Sequence, residues 1–229
     1  MSGSREQHPG FPPARTVTAR IVITALALVV WFWTQSLIGA KSLPASGLGD
    51  GLHLLLAPLN ESLHAHPQFA DGLLIVSSAF IDLFAILLLG AWILGKSVRP
   101  FLALVLVLGL RQVFQGLVAL PPPAGMIWHY PGFPSLLVTY GVANDFFFSG
   151  HTAVAVLGAL ELGRLGRPWL RWAGIAVALF EVTVVLALRA HYTMDVFTGL
   201  LAALFMAQVA EKLAPACDRA LARMLPGSP

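Results

Sequence analysis

Six long stretches of apolar residues constrain the fold of this 229-residue chain more than any other feature. Each is long enough to cross the hydrocarbon core of a bilayer as a helix, which takes about 20 residues. Hydrophobic residues make up 57% of the chain and charged residues only 11%, whereas soluble domains carry about a quarter charged residues. The sequence therefore predicts an all-α, polytopic membrane protein with six transmembrane helices. We expect these at residues 21–40, 72–95, 101–120, 147–165, 169–188 and 192–213.

The residues outside the six stretches predict a simple domain organisation. Residues 1–15 are rich in Gly, Pro and Ser and predict a disordered tail, 16–215 form the membrane domain, and 216–229 form a C-terminal tail. The loop at 41–71 is long, with a short interfacial helix expected at 52–56 and its histidines expected in solvent. Cys217 is the only cysteine, which excludes an intrachain disulfide. The net charge of +3 is too small to indicate a nucleic-acid partner.

Lys and Arg residues are distributed unevenly around the predicted spans. Eleven of the 14 lie before the first span, between spans 2 and 3, between spans 4 and 5, or after span 6. The opposite side holds only Lys41 and Arg189. Because positive residues are enriched in cytoplasmic loops, both termini should be cytoplasmic. The other loops should face the periplasm, the cell exterior or an organelle lumen.

Two polar clusters stand at the outer ends of predicted spans. One contains Ser149, Gly150 and His151 at the start of span 4, and the other runs from Arg189 through His191 to Asp195 at the start of span 6. Span 4 crosses the membrane and span 5 returns, so both histidines should reach the same outer face. His191 and Asp195 are four residues apart, so on one helix they would share a face. A carboxylate there fixes the imidazole tautomer and makes its other nitrogen more basic.

These clusters resemble the motifs of a known enzyme superfamily. Ser-Gly-His-Thr at 149–152 with His-Tyr-Thr-x-Asp at 191–195 is similar to the lipid phosphatase/phosphotransferase superfamily, the type-2 phosphatidic acid phosphatase group. The second motif resembles the branch that holds sphingomyelin synthases and plant phosphatidylcholine:diacylglycerol cholinephosphotransferases. Arg-Gln-x-x-Gln at 111–115, followed by Leu-Pro-Pro-Pro-x-Gly at 120–125, also resembles the plant enzymes. The similarity covers residues 111–213.

The chain departs from the phosphatase members of that superfamily. It has no Lys-x6-Arg-Pro motif, Phe148 replaces the proline before Ser-Gly-His, and Val185 stands where the third motif has its Ser-Arg. These differences favour the transferase branch over a plain phosphatase. They leave Arg189 and Arg111 as the candidate phosphate-binding cations.

The resemblance implies a mechanism for the two histidines. His191 is the nucleophile that attacks the donor phosphorus to form a phosphohistidine, and Asp195 orients it. His151 protonates the leaving diacylglycerol oxygen and later deprotonates the acceptor hydroxyl. The resemblance implies no metal and no cofactor.

Other candidate substrate-binding residues flank these three. Backbone N–H groups of Ser149 and Gly150 are expected to help bind the phosphate. Asp82 and Arg111 are predicted to lie near the membrane midplane, where pairing with each other would reduce the cost of burying two charges. The remaining candidates are open between substrate contact and a structural role: Asp145 as headgroup ligand or helix cap, Glu181 as headgroup contact, Tyr192 as packing residue or substrate contact, and Trp128 as roof or interfacial anchor.

The sequence thus predicts a membrane lipid phosphotransferase whose site faces outward. It would move a phospho-headgroup, with phosphocholine as the specific expectation, from a phospholipid donor to diacylglycerol or ceramide. The alternatives are a lipid phosphatase or phospholipase C-like hydrolase, if water reaches the phosphohistidine, and a non-catalytic lipid transporter. The sequence does not specify the headgroup, the acceptor or the oligomeric state.

Overall fold

The computed structural model describes residues 26, 29, 33, 48–138, 140 and 146–224. Within these residues all regular structure is helical, which confirms the all-α prediction for the described part of the chain. The helices are α1 (Gly51–Leu55), α2 (Ala57–Ala65), α3 (Pro67–Ile93), α4 (Arg99–Leu117), α5 (Gly150–Arg164), α6 (Pro168–Ala187) and α7 (Thr193–Met224). The first predicted span, 21–40, lies almost entirely outside the described residues, and so does Asp145.

Four of the described helices are long and apolar enough to cross a membrane, namely α3, α4, α6 and α7. Helix α5, expected to span over 147–165, has only 15 residues. At 1.5 Å per residue it is about 22 Å long, which is shorter than the ~30 Å hydrocarbon core. The protein is therefore a helical membrane protein with four candidate spans in its described part, and six spans with cytoplasmic termini stay a prediction.

Local sequence signals explain where these helices begin. Pro67, Pro100 and Pro168 stand in the first turns of α3, α4 and α6, where the missing proline N–H leaves no hydrogen bond unmade. Helix α5 begins after Ser149, whose hydroxyl accepts a hydrogen bond from the N–H of Thr152 and so caps the helix. The Ser-Gly-His-Thr motif at 149–152 is therefore also a helix start.

Helix α5 is the most buried helix and packs against α3, α4, α6 and α7. Two glycines make this close packing possible. A Cβ added at Gly158 would lie 2.2 Å from Cγ of Phe84 in α3, and one at Gly174 would lie 2.8 Å from the Cα of Ala159. Small residues at such interfaces let helix backbones approach each other closely. The packing fixes α5, and with it His151, relative to the surrounding helices.

The part expected to be the loop 41–71 is largely helical in its second half. Helices α1 and α2 occupy most of 51–65, and α3 begins at Pro67, five residues before the predicted span. The helix expected at 52–56 is present over Gly51–Leu55, but His53 is buried instead of solvated. At the other end of the chain, α7 continues through Pro215 to Met224, so most of the expected C-terminal tail is helical.

An ion-pair network joins the helix ends opposite the motifs at 149–152 and 191–195. Arg99 in α4 contacts Glu161 in α5 at 2.7 Å, and Arg164 pairs with Glu211 of α7. Asp218 of α7 accepts hydrogen bonds from the N–H of Val98 and the hydroxyl of Ser97, at 2.7 and 2.9 Å. Asp218 thereby caps the start of α4 from the neighbouring helix.

Candidate active site

A cavity of about 420 Å³ opens between α3, α4, α5 and the turn before α7. Both predicted catalytic histidines line it, together with Arg111 and Gly150. The other described lining residues are Ile81, Leu108, Gln112, Gln115, Trp128, Leu137, Val138, Phe146, Val154 and Ala190. The wall combines apolar side chains with a cluster of polar ones, from Arg111, Gln112, Gln115 and the two histidines, and such convergent polar groups fix the orientation of a bound small molecule.

His151 lies in the first turn of α5, directly after the Ser149 cap. Its Nε2 is buried and has no hydrogen-bond partner among the described residues. The indole of Trp128 packs edge-on against the imidazole, with ring centroids 5.4 Å apart. His151 therefore presents a nitrogen that can exchange a proton with a bound molecule.

His191 and Asp195 are brought together, but not in the way that their spacing predicts. Helix α7 begins only at Thr193, so His191 lies in the preceding turn and the two residues do not share a helix face. Asp195 is in the first turn of α7, and its Oδ2 accepts a hydrogen bond from the N–H of Tyr192 at 2.9 Å. This is the carboxylate half of a capping box. The same Oδ2 lies 3.7 Å from Nδ1 of His191.

The imidazoles of His151 and His191 lie side by side at the cavity, tilted by 58° with ring centroids 6.4 Å apart. The 3.7 Å between His191 and Asp195 is longer than a hydrogen bond, and both His191 Nδ1 and Asp195 Oδ1 lack partners among the described residues. Hydrogen bonds in active sites are often long before substrate binds and shorten in the complex. An imidazole next to a carboxylate and a second imidazole thus lie within one small space.

Arg111 is the cation at this cavity. Its Nε donates a hydrogen bond to the carbonyl oxygen of Phe148 at 2.9 Å, just before the Ser-Gly-His motif. A Cβ at Gly150 would lie 3.2 Å from that Nε, so the glycine leaves space for the guanidinium. Arg111 therefore packs directly against the start of the Ser-Gly-His motif. Its guanidinium lies at the cavity, where it can bind an anionic group.

The chain matches the AtPDCT1/2 family over residues 50–212, about seven-tenths of its length. The chain belongs to the AtPDCT1/2 family. It is 24% identical over 180 residues to phosphatidylcholine:diacylglycerol cholinephosphotransferase 1 of Arabidopsis thaliana, which covers 79% of this chain and 57% of that protein. The chain thus spans a little over half the length of this relative. No solved structure matches the chain significantly.

Arg189, the predicted outer phosphate ligand, does not line the cavity. Its φ is +52°, in the left-handed region that few non-glycine residues adopt. The guanidinium donates hydrogen bonds to the carbonyl oxygens of Ala124, at 2.7 Å, and His53, at 3.3 Å. Gly125, the glycine of the Pro-Pro-Pro-x-Gly motif, has φ +74°, and a Cβ there would lie 2.8 Å from Nη1 of Arg189. In this structure Arg189 ties together two segments of the family match.

The two carboxylates expected near substrate also have protein partners. Asp82 does not pair with Arg111 as predicted. Instead its carboxylate accepts hydrogen bonds from the hydroxyl of Ser135 and from the N–H groups of Leu136 and Leu137, at 2.8–3.0 Å. Glu181 is fully buried, and its Oε2 accepts a 2.6 Å hydrogen bond from the hydroxyl of Ser77. Neither residue lines the cavity, so a direct substrate contact stays a prediction for both.

Ser149 and Tyr192, two further predicted substrate contacts, lie next to the cavity-lining residues but bond to other parts of the protein. Ser149 is buried, and its hydroxyl accepts from Thr152 as the cap of α5. Tyr192 donates its hydroxyl to the carbonyl oxygen of Pro121 at 3.1 Å. Neither side chain lines the cavity, whereas Gly150 does. In the described part of the chain, no three His, Cys, Asp or Glu side chains are grouped so as to hold a metal ion, and metal independence stays a prediction.

Sequence reasoning missed three residues in or next to α1 and α2 that contact the end of α6 and the 189–193 turn. Asp50 accepts hydrogen bonds from Thr193, His53 donates to the carbonyl oxygen of His191, and Asn60 donates to that of Ala187. One local signal was available, because Asp50 before an apolar run is a typical helix cap. The family match begins at Asp50, so these contacts lie within the shared region.

Proposed function

We propose that this chain is a membrane lipid phosphotransferase that moves a phospho-headgroup from a phospholipid to diacylglycerol or ceramide. Phosphocholine is the specific headgroup we infer, since the Arabidopsis relative is named for transfer of that group between phosphatidylcholine and diacylglycerol. The observation that carries the proposal is the convergence of His151, His191 and Arg111 on one cavity, with Asp195 behind His191.

In the first half-reaction, Nε2 of His191 attacks the donor phosphorus and the bond from phosphorus to the diacylglycerol oxygen breaks. His151, protonated on Nε2, gives its proton to that leaving oxygen. Asp195 interacts with Nδ1 of His191 and stabilises the positive charge that develops on the ring. Arg111 balances the negative charge on the phosphoryl oxygens.

In the second half-reaction, the acceptor lipid occupies the place of the departed diacylglycerol. Neutral His151 removes the proton from its hydroxyl, and the oxygen attacks the phosphohistidine. The bond from phosphorus to nitrogen breaks, which frees His191 and completes the new phospholipid. The proton that His151 gives to the leaving diacylglycerol is thus replaced by the proton that it takes from the acceptor, and the enzyme returns to its starting state.

The test is a product assay on purified protein in detergent. Phosphatidylcholine labelled in its choline is mixed with a short-chain diacylglycerol or ceramide, and we expect label in the corresponding short-chain product. His191→Ala, His151→Ala and Asp195→Ala should each lower transfer at least about a hundredfold while the helical content is unchanged. His64→Ala is the matched control, because His64 is an exposed histidine of α2 and should leave transfer unchanged.

The assay also separates the alternatives. Label released as water-soluble phosphocholine would indicate a phospholipase C-like hydrolase, and phosphate released from phosphatidic acid would indicate a phosphatase. If no label leaves phosphatidylcholine, the assay is repeated with phosphatidylethanolamine labelled in its ethanolamine. Transfer of that label to the acceptor would mean that the headgroup is phosphoethanolamine and that the proposed chemistry holds. Normal transfer by His191→Ala would refute the phosphohistidine, and lipid movement across vesicles that survives this variant would favour the transporter.

A further inference from the structure

The short helix α1 contacts the chain segment that carries His191. Asp50 accepts hydrogen bonds from the N–H and hydroxyl of Thr193, both at 2.6 Å. The same carboxylate accepts from the N–H groups of Leu52 and His53, at 3.0 and 3.2 Å. One side chain therefore caps two helices, α1 and α7. The start of α7 is thereby fixed relative to α1.

His53 makes the second set of contacts. Its buried Nε2 lies 2.9 Å from the carbonyl oxygen of His191, and a carbonyl can only accept, so Nε2 carries the proton. The His53 ring stacks on Tyr192 with centroids 5.7 Å apart. The carbonyl oxygen of His53 in turn accepts from Arg189. Asp50 and His53, which we call the α1 clamp, thus contact Arg189 and each residue from 191 to 193.

These contacts matter because the His191 imidazole is packed against Phe146 and His151 but is not oriented, among the described residues, by a hydrogen bond at Nδ1. Its Nδ1 has no hydrogen-bond partner among the described residues, and Asp195 Oδ2 is 3.7 Å away. The N–H of His191 donates to Val185 only at 3.4 Å. The position of the imidazole therefore depends on the backbone of the turn, and the α1 clamp holds that backbone at its carbonyl and at the following helix start.

We propose that Asp50 and His53 are positioning residues that hold His191 in reach of Asp195 and of the bound phosphorus. Neither lines the cavity, so they act through the turn and not on the substrate. Burial alone would raise the pKa of Asp50, but the hydrogen bonds from Thr193 and His53 lower it below its usual value, so the clamp carries a negative charge at the N-terminus of α7. The proposal rests on the proposed function only in taking His191 as the reacting group.

The kinetic test compares His53→Leu with His53→Gln and with His64→Leu. Leucine removes the donor to His191, whereas the glutamine amide can replace Nε2–H. We expect His53→Leu to lower kcat for headgroup transfer about 10- to 100-fold, as for other residues that orient reacting groups, with KM for the donor lipid within about twofold. His53→Gln should recover most of the loss. His64 also donates to a backbone oxygen, that of Gly125, but away from the His191 turn, and His64→Leu should match the wild type.

Hydrogen–deuterium exchange tests the same inference without any activity. His53→Leu and the milder Thr193→Val, which removes one hydrogen bond to Asp50, should speed amide exchange in 189–196 and leave 111–117 unchanged. If His53→Leu does not fold, Thr193→Val carries both measurements. A wild type that transfers no headgroup would refute the proposed function, while faster exchange confined to 189–196 would still support the clamp.

Two results would overturn the proposal. The first is unchanged kcat together with unchanged exchange in 189–196 for both His53→Leu and Thr193→Val. The second is a raised KM at constant kcat for His53→Leu, since that pattern is the signature of a substrate contact.

Discussion

Replacement of Arg189 tests whether this residue shapes the turn or binds the substrate. The N–H of Arg189 donates to Leu186 and that of Ala190 donates to Val185, at 3.1 and 2.8 Å. Together with φ +52° at Arg189, this is a Schellman motif at the end of α6, in which glycine usually occupies the left-handed position. Arginine pays about 1–2 kcal/mol for that conformation.

The side chain of Arg189 offsets this strain. Its two hydrogen bonds, to Ala124 and His53, contribute about 1 kcal/mol each at a partly exposed site. Arg189→Ala loses both bonds and keeps the strain, so it should destabilise the protein by about 2 kcal/mol. Arg189→Gly also loses both bonds but relieves the strain, less about 0.4–1 kcal/mol for the more flexible unfolded chain. The glycine variant should therefore be more stable than the alanine variant by about 0.5–1 kcal/mol.

Thermal unfolding of the two variants in one detergent, followed by helical circular dichroism, measures this order. The matched control is Lys212, an exposed residue inside α7. There the alanine variant should be more stable than the glycine variant by about 1 kcal/mol. The expected result is thus opposite signs at the two positions. An Arg189→Ala variant that is as stable as Arg189→Gly would refute the strained turn.

The kinetics of the same variants distinguish a structural role of Arg189 in the turn from a role as phosphate ligand. Because Arg189 does not line the cavity, we expect kcat to fall through displacement of His191 while KM for the donor lipid changes less than about threefold. A large rise in KM in both variants, with kcat retained, would restore the role that the sequence alone suggests.

Three further predictions concern the packing, the caps and the orientation. Gly158→Ala should lower stability by about 1–3 kcal/mol, because its Cβ would lie 2.2 Å from the Phe84 ring and overpack the core; thermal unfolding should show partial recovery when Phe84→Leu is added. Asp218→Ala should cost about 1 kcal/mol in the same assay, because the start of α4 loses its cap, and an unchanged midpoint would contradict that role. With Cys217→Ser as background, Tyr130→Cys should react with an impermeant maleimide in intact cells; reaction only after the membrane is broken would reverse the predicted orientation.

The sequence predicts that His151 and His191 reach the same face, and in the structure both line one cavity. Few polar residues interrupt the apolar stretches, so Ser149-Gly150-His151 and His191 to Asp195 stand out, and the return of the chain through α6 brings the two histidines within one cavity wall. The error concerns the local geometry. A four-residue spacing fits a continuous helix, but Asp195 instead caps a helix that begins at Thr193.

The sequence could not predict the partners of the flanking charges. Arg189 is the outer cation closest to the histidines in sequence, and nothing local reveals that its backbone turns left-handed or that its guanidinium reaches Ala124. Glu181 lies in a helix that is apolar on all sides, so periodicity does not specify which neighbour it faces, and Ser77 of α3 is 104 positions away. The sequence predicts a solvated His53, because a long outer loop usually is solvated. Its burial results from contacts with the 189–193 turn.

The distribution of unpaired polar atoms distinguishes the site from its surroundings. Five buried side-chain polar atoms lack hydrogen-bond partners among the described residues, and three of them are His151 Nε2, His191 Nδ1 and Asp195 Oδ1. The other two are Oε1 of Glu181 and Nε of Arg189, whose remaining side-chain polar atoms have protein partners. A phosphodiester would supply an oxygen for His151 Nε2, and closing the 3.7 Å gap would pair His191 with Asp195. Under the proposed function, we therefore expect ligands that carry a phosphoryl group to bind more tightly than lipids that lack one.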